Sequence, residues 1–147
     1  MKKTTSPNGF TLIELIIVMV ILGIMAAVAV PRYLDSIANA EESAEDAVIS
    51  AIRNGLKQYA NNKLLTDGRA EWPDNPFDVL AEKPAGYTND GDLADTDGEW
   101  TFFTNGDGTQ ISHQRSDNSR YYWSYDKGTQ GGGDDAAIGT LGERVDL

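Results

Sequence analysis

Two hydrophobic patterns divide the first part of the chain. From Phe10 to Val30 every residue is apolar or glycine except Thr11 and Glu14, with no alternation that a half-buried strand would need. Beyond Pro31 the pattern becomes periodic. Ile37, Ala44, Val48, Ile52, Leu56 and Tyr59 recur at spacings of three, four and seven, which marks one apolar face of a helix. Glu41, Glu42, Glu45 and Asp46 fall on the other side and read as a solvated face. The pattern predicts one long helix over residues 10–62, fading near Asn61-Asn62, with Asp67-Gly68 as a firm stop.

The remainder reads as a small sheet. Pro73, Pro76 and Pro84 exclude regular structure through residues 71–87, apart from a short turn between Phe77 and Lys83, and Trp72, Phe77, Leu80 and Tyr87 are placed to pin this loop to a core. Three strand-like runs follow, Glu99–Thr104, Gln110–Arg115 and Arg120–Tyr125, separated by the turn signals "NGDG" and "SDNS". Trp100 and Phe102 alternate onto one face, as do Tyr121, Trp123 and Tyr125. An antiparallel meander with an aromatic face needs cover, and the amphipathic half of the helix supplies it. The expected fold class is α+β: a long N-terminal α-helix packed on a small antiparallel sheet of about three strands. The Gly- and Asp-rich stretch after Tyr125 is expected to be an irregular tail.

The apolar block has the dimensions of a membrane span. Its 21 residues extend about 31 Å at about 1.5 Å per residue, against roughly 30 Å of bilayer hydrocarbon. It is longer than the apolar region of a secretory signal peptide and lacks a small-residue cleavage site in a polar flank after it, so a retained helix is expected. Lys2 and Lys3 favour a cytoplasmic start and place the chain after Pro31 on the far side. Glu14 then needs a partner, because a carboxylate in this setting costs a few kcal/mol on insertion scales. No Lys or Arg lies within a helical turn of it. Cleavage between Gly9 and Phe10 would create one, an α-amine four residues from Glu14 on the same helical face.

A basic leader ending in Gly9, the run Phe10-Thr11-Leu12-Ile13-Glu14, a long apolar helix and then Pro31 together resemble a type IV prepilin, the superfamily that includes the type II secretion pseudopilins. The resemblance covers roughly the first 60 residues. It implies a leader over residues 1–9, a transmembrane and filament-core helix over 10–30, and a periplasmic or extracellular head over 31–147. It implies that a prepilin peptidase cuts between Gly9 and Phe10 and that Phe10 is then N-methylated. Glu14 would pair with the Phe10 amine of a neighbouring subunit, and Gly23 and Pro31 would bracket a helical stretch able to loosen on assembly. The implied partners are further copies of the chain in a helical filament, the peptidase and methylase, and an inner-membrane assembly platform. The implied location is the inner membrane before assembly, then an extracellular pilus serving adhesion, motility or DNA uptake, or a periplasmic pseudopilus serving protein secretion.

Charge and composition narrow the chemistry. With 12 Lys+Arg against 23 Asp+Glu the formal charge is −11, which repels phosphate backbones and makes nucleic-acid binding by the head unexpected. Cysteine is absent, so neither disulfides nor thiolate metal sites are available. Asp90, Asp92, Asp95, Asp97 and Glu99 crowd a glycine-containing stretch of the kind that can hold Ca²⁺, although the spacing departs from the twelve-residue EF-hand loop. The competing reading is an ordinary solvated acidic loop. Some major pseudopilins bind calcium near the C-terminal sheet, and that resemblance adds Asp126, Asp134 and Asp135 as candidates; no other cofactor is expected. His113 is the sole histidine and falls in a strand, so no catalytic triad can be assembled and no enzymatic activity is expected. The alternative to a filament subunit is a membrane-tethered binding domain that never polymerises.

Overall fold

A computed structural model of the protein describes residues 9–105, 108–128 and 139–147. Lys2, Lys3 and Asp134–Asp135 lie outside the described residues. The chain divides into two compact units, one ending at Glu42 and one comprising Ser43–Leu147. Helix α1, Leu12–Asp67, contributes to both.

In the first unit α1 is an isolated apolar rod. Every large apolar side chain between Phe10 and Val30 is exposed, with Phe10 at 89%. Such a surface is unstable in water and calls for lipid or protein around it. Among the described residues this is the one helix long and apolar enough to cross a membrane. Pro31 is carried inside the helix, without ending it, and its missing N–H leaves the Ala27 carbonyl without its usual donor.

The second unit is built on a six-stranded mixed sheet: β1 (Tyr87–Thr88), β2 (Trp100–Asn105), β3 (Gly108–Gln114), β4 (Arg120–Asp126), β5 (Thr140–Leu141) and β6 (Val145–Asp146). Strand order is β1-β2-β3-β4-β5, with β6 also pairing with β4; β1 runs parallel to β2 and the other pairings are antiparallel. The three expected strands are the central three. The expected irregular tail instead returns to the sheet, because β5 takes Tyr125–Asp126 and β6 takes Tyr121–Tyr122 as partners. These two-residue strands are too short to show a hydrophobic period.

Register places the aromatic side chains together. Trp100 stands opposite His113, Phe102 opposite Ile111, and Ile111 opposite Trp123. This face packs on Ile49, Ile52 and Leu56 of α1, and Phe77 completes the core from the proline-rich loop, where Pro76–Val79 forms one 3₁₀ turn. Trp72, Leu80 and Tyr87 pack against the same core, as expected. The opposite face of the sheet combines the buried Phe103 with satisfied polar groups: the Thr101 and Ser112 hydroxyls bond each other at 2.8 Å, and the Ala94 N–H donates to Ser112 Oγ at 2.9 Å.

Two helix expectations need correction. α1 passes through Asn61-Asn62 and ends at Asp67, where Gly68 adopts a left-handed φ of 73°. The Lys63–Asp67 ion pair at 3.0 Å supports that last turn. The buried face is Glu45, Ile49, Ile52, Leu56 and Ala60. At its N-terminal end it is rotated by one residue from the expected face, so Ala44 is exposed and Glu45 is wholly buried. Reading Glu45 as part of the solvated face was therefore wrong.

Candidate functional sites

The N-terminal site begins at the exposed junction Gly9-Phe10. Thr11 is the N-cap of α1 and Glu14 its third residue. The Thr11 hydroxyl accepts from the Glu14 N–H at 3.3 Å, and Glu14 Oε2 accepts from the Thr11 N–H at 2.9 Å and from its hydroxyl at 2.8 Å. This is a capping box, in which two helix-end donors are satisfied reciprocally. Within a single chain Glu14 therefore engages Thr11, and the carboxylate marks the first turn of the helix. The spacing Thr-x-x-Glu before an apolar run carried that signal in the sequence. Among the described residues nothing lies within 4 Å of a Cβ built at Gly9 or Gly23, so their packing requires neither glycine.

A second constellation forms where α1 meets the sheet. The Glu45 carboxylate, 0% exposed, receives Arg115 Nε at 2.7 Å on Oε1 and Arg115 Nη2 at 2.6 Å on Oε2. Arg144, from the turn between β5 and β6, adds a bond to Oε2 at 3.0 Å. His113 Nδ1 lies 2.9 Å from Oε1. An ionised carboxylate can only accept, so Nδ1 carries the proton in that bond. Burial pushes the Glu45 carboxyl up, but the hydrogen bonds from Arg115 and His113, the Arg115 charge and the Arg144 bond outweigh it and hold the group at about 2. The guanidinium carbons of Arg115 and Arg144 lie 4.1 Å and 5.5 Å from the Tyr121 ring centroid, and Trp100 stacks on His113 at 4.2 Å.

This cluster holds no activated nucleophile. Its chemistry is that of a clamp tying α1, β3 and the β5–β6 turn to one carboxylate. His113 is thus more than an ordinary strand residue. Period-two alternation placed Ile111, His113 and Arg115 on the aromatic face, and the spacing from Ile49 placed Glu45 opposite them.

The acidic loop is organised by hydrogen bonds. Glu99 Oε2 accepts from the Asp95 and Thr96 N–H groups at 2.9 and 3.1 Å, and its Oε1 accepts from the Thr88 hydroxyl at 2.8 Å. Asp90 Oδ1 accepts from the Asp92 N–H, Asp97 Oδ1 from the Gln114 amide, and Asp126 Oδ1 from the Gly128 N–H. Among the described residues no three acidic or histidine side chains converge as metal ligands. Asp90, Asp92, Asp95, Asp97 and Asp126 are thus not gathered into one ligand cluster among the described residues, and Asp134 lies outside them.

Comparison with known proteins falls on the first of these sites. Residues 6–30 match the family model described as the prokaryotic N-terminal methylation motif. In the matched stretches the chain is similar to proteins of the type IV pilin and pseudopilin superfamily. The chain is 46% identical over 71 residues to a fimbrial protein of Neisseria meningitidis serogroup A, covering 48% of the chain and 38% of that protein. It is 51% identical over 47 residues to the type IV narrow pilus major component of Thermus thermophilus, covering 32% and 40%. It is 41% identical over 84 residues to the type II secretion system core protein G of Vibrio cholerae, covering 57% and 55%. The matched stretches thus span only part of each relative's length. No solved structure matches the chain at a significant level.

Proposed function

We infer that the chain is the structural subunit of a type IV pilus-like filament. It is stored in the inner membrane through the apolar helix, cut between Gly9 and Phe10 by a prepilin peptidase, N-methylated at Phe10, and polymerised through α1. The observation that carries this reading is the methylation motif over residues 6–30, set on a helix whose large apolar side chains from Phe10 to Val30 are exposed among the described residues. In the assembled state the new Phe10 amine of a neighbour competes with Thr11 for Glu14 and fixes axial register, while Gly23 and Pro31 mark where α1 is least able to resist loosening. Membrane storage, the peptidase and the assembly platform belong to this reading.

Mass spectrometry of the native N-terminus, with electron microscopy of the cell surface, tests it. A chain starting at Phe10 and heavier by one methyl, together with filaments lost on deletion, is the expected result. An uncut Gly9-Phe10 bond and a monomer in detergent would identify a simple tether instead. A second reading, the major pseudopilin of a type II secretion system, is favoured by the match to the Vibrio protein, which is longer than the Neisseria match, 84 residues against 71. Deletion that abolishes secretion and leaves surface filaments intact would select it.

A further inference from the structure

The Ser43–Leu147 unit carries a basic groove in a strongly acidic protein. A cavity of about 600 Å³ opens between α1 and β5, lined in part by Arg53, Lys57, Trp72, Leu141 and Glu143. Arg53 and Lys57 stand one helical turn apart. Arg53 donates to the Gly142 carbonyl at 2.9 Å, whereas Lys57 is exposed and makes no ion pair among the described residues. Glu143 offsets one of the two cations, leaving the groove positive above an apolar wall of Trp72 and Leu141.

The complementary surface is the loop from β1 to β2. Asp90, Asp92, Asp95 and Asp97 are all exposed, and none makes an ion pair among the described residues. Glu99 and the Ala94–Ser112 bond fix the backbone of this loop, so little ordering entropy is lost when it meets a partner. The two patches cannot meet within one chain. The loop joins β1 to β2 at one margin of the sheet and crosses the face turned away from α1. The groove lies on the α1 side at β5, four strand spacings away, about 19 Å.

We propose that the acidic loop of one copy docks in the Arg53–Lys57 groove of the next, giving the heads a charge-matched lateral register. The proposal rests on the filament reading above. The contact uses different surfaces on the two partners, so it is heterologous, the type of contact that builds an open filament when its rotation does not close into a ring. Its exposed pairs are each worth up to about fivefold in affinity. They select the partner's register more than they tighten it, and they weaken with salt over a Debye length of roughly 8 Å.

The absence of cysteine makes the test clean. The full-length chain carrying both Lys57→Cys and Asp95→Cys is produced in the cells that assemble it and treated with a short bis-maleimide. A ladder of dimers, trimers and longer species is expected. Chains carrying one thiol each should stop at dimers, and only when both kinds are present. Dimers from Lys57→Cys alone, or filaments without a ladder, overturn the pairing and leave assembly standing; a groove that takes a small anion instead gives this second result. Loss of both filaments and ladder from a chain whose Gly9-Phe10 bond stays uncut overturns both readings. In the charge exchange, Lys57→Glu and Asp95→Lys should each lower filament yield by up to about fivefold, and the double variant should restore it. A double variant no better than the singles refutes the pairing.

Discussion

Replacing Glu45 by Gln keeps the size of the side chain and removes its charge. The carboxyl is held at about 2 against an ordinary 4.5, a gap worth about 3 kcal/mol of folding stability at roughly 1.36 kcal/mol per pH unit. Because the folded value is the lower one, this stability is fully present above pH 4.5 and is lost as pH falls toward 2. Glu45→Gln should therefore unfold about 3 kcal/mol more easily at pH 7, a fall in melting temperature of ~10–20 °C for a unit of this size. Below pH 4.5 the two proteins should converge, since the native side chain becomes neutral as well. Thermal unfolding of the full-length protein in detergent, followed by tryptophan fluorescence from pH 7 to 2, measures both. Trp100 and Trp123 lie in the core beside this cluster and report on it directly. A difference below about 1 kcal/mol at pH 7 would show that desolvation cancels the ion pairs. A difference that persists undiminished at pH 2 would show that the effect is not the charge.

Three other outcomes are expected. Glu14→Leu should be inserted and cut between Gly9 and Phe10 but assemble poorly; normal filaments from it would remove Glu14 from assembly. Gly86→Ala should lose at least ~2 kcal/mol in a denaturant titration, because φ is +78° and a Cβ would run into the Gly98 carbonyl. Tyr125→Phe should cost about 1 kcal/mol by the same measurement, from loss of the 2.7 Å bond its buried hydroxyl donates to the Pro73 carbonyl.

The sequence was most legible where one period ran long. The apolar block, the amphipathic continuation and the three alternating strands each offered enough residues for their spacing to exclude the alternatives. β5 and β6 escaped because two residues have no period, and they are strands only because β4 offers them partners. Glu45 was misread for a different reason. Residue type suggested solvent, while its helical spacing from Ile49, Ile52 and Leu56 pointed inward, and the cations that decide the matter lie on β3 and in the β5–β6 turn, 68 to 99 positions away. Glu14 was read as a charge needing a cationic partner. The partner inside the chain is its neighbour Thr11, which a search for cations passes over.

The pairing of β4 with two short strands bears on how many copies can be crowded together. A seven-residue strand left open would offer a row of N–H and C=O groups to any neighbour. β5 occupies one end of that row and β6 the other, with Arg144 anchored to Glu45 between them. At the opposite margin β1 offers only two residues. The β4 border of the sheet is therefore a poor template for strand addition. Subunits packed side by side can then remain separate folded bodies, and contact between them is left to side chains, which can be made and broken without unravelling the heads.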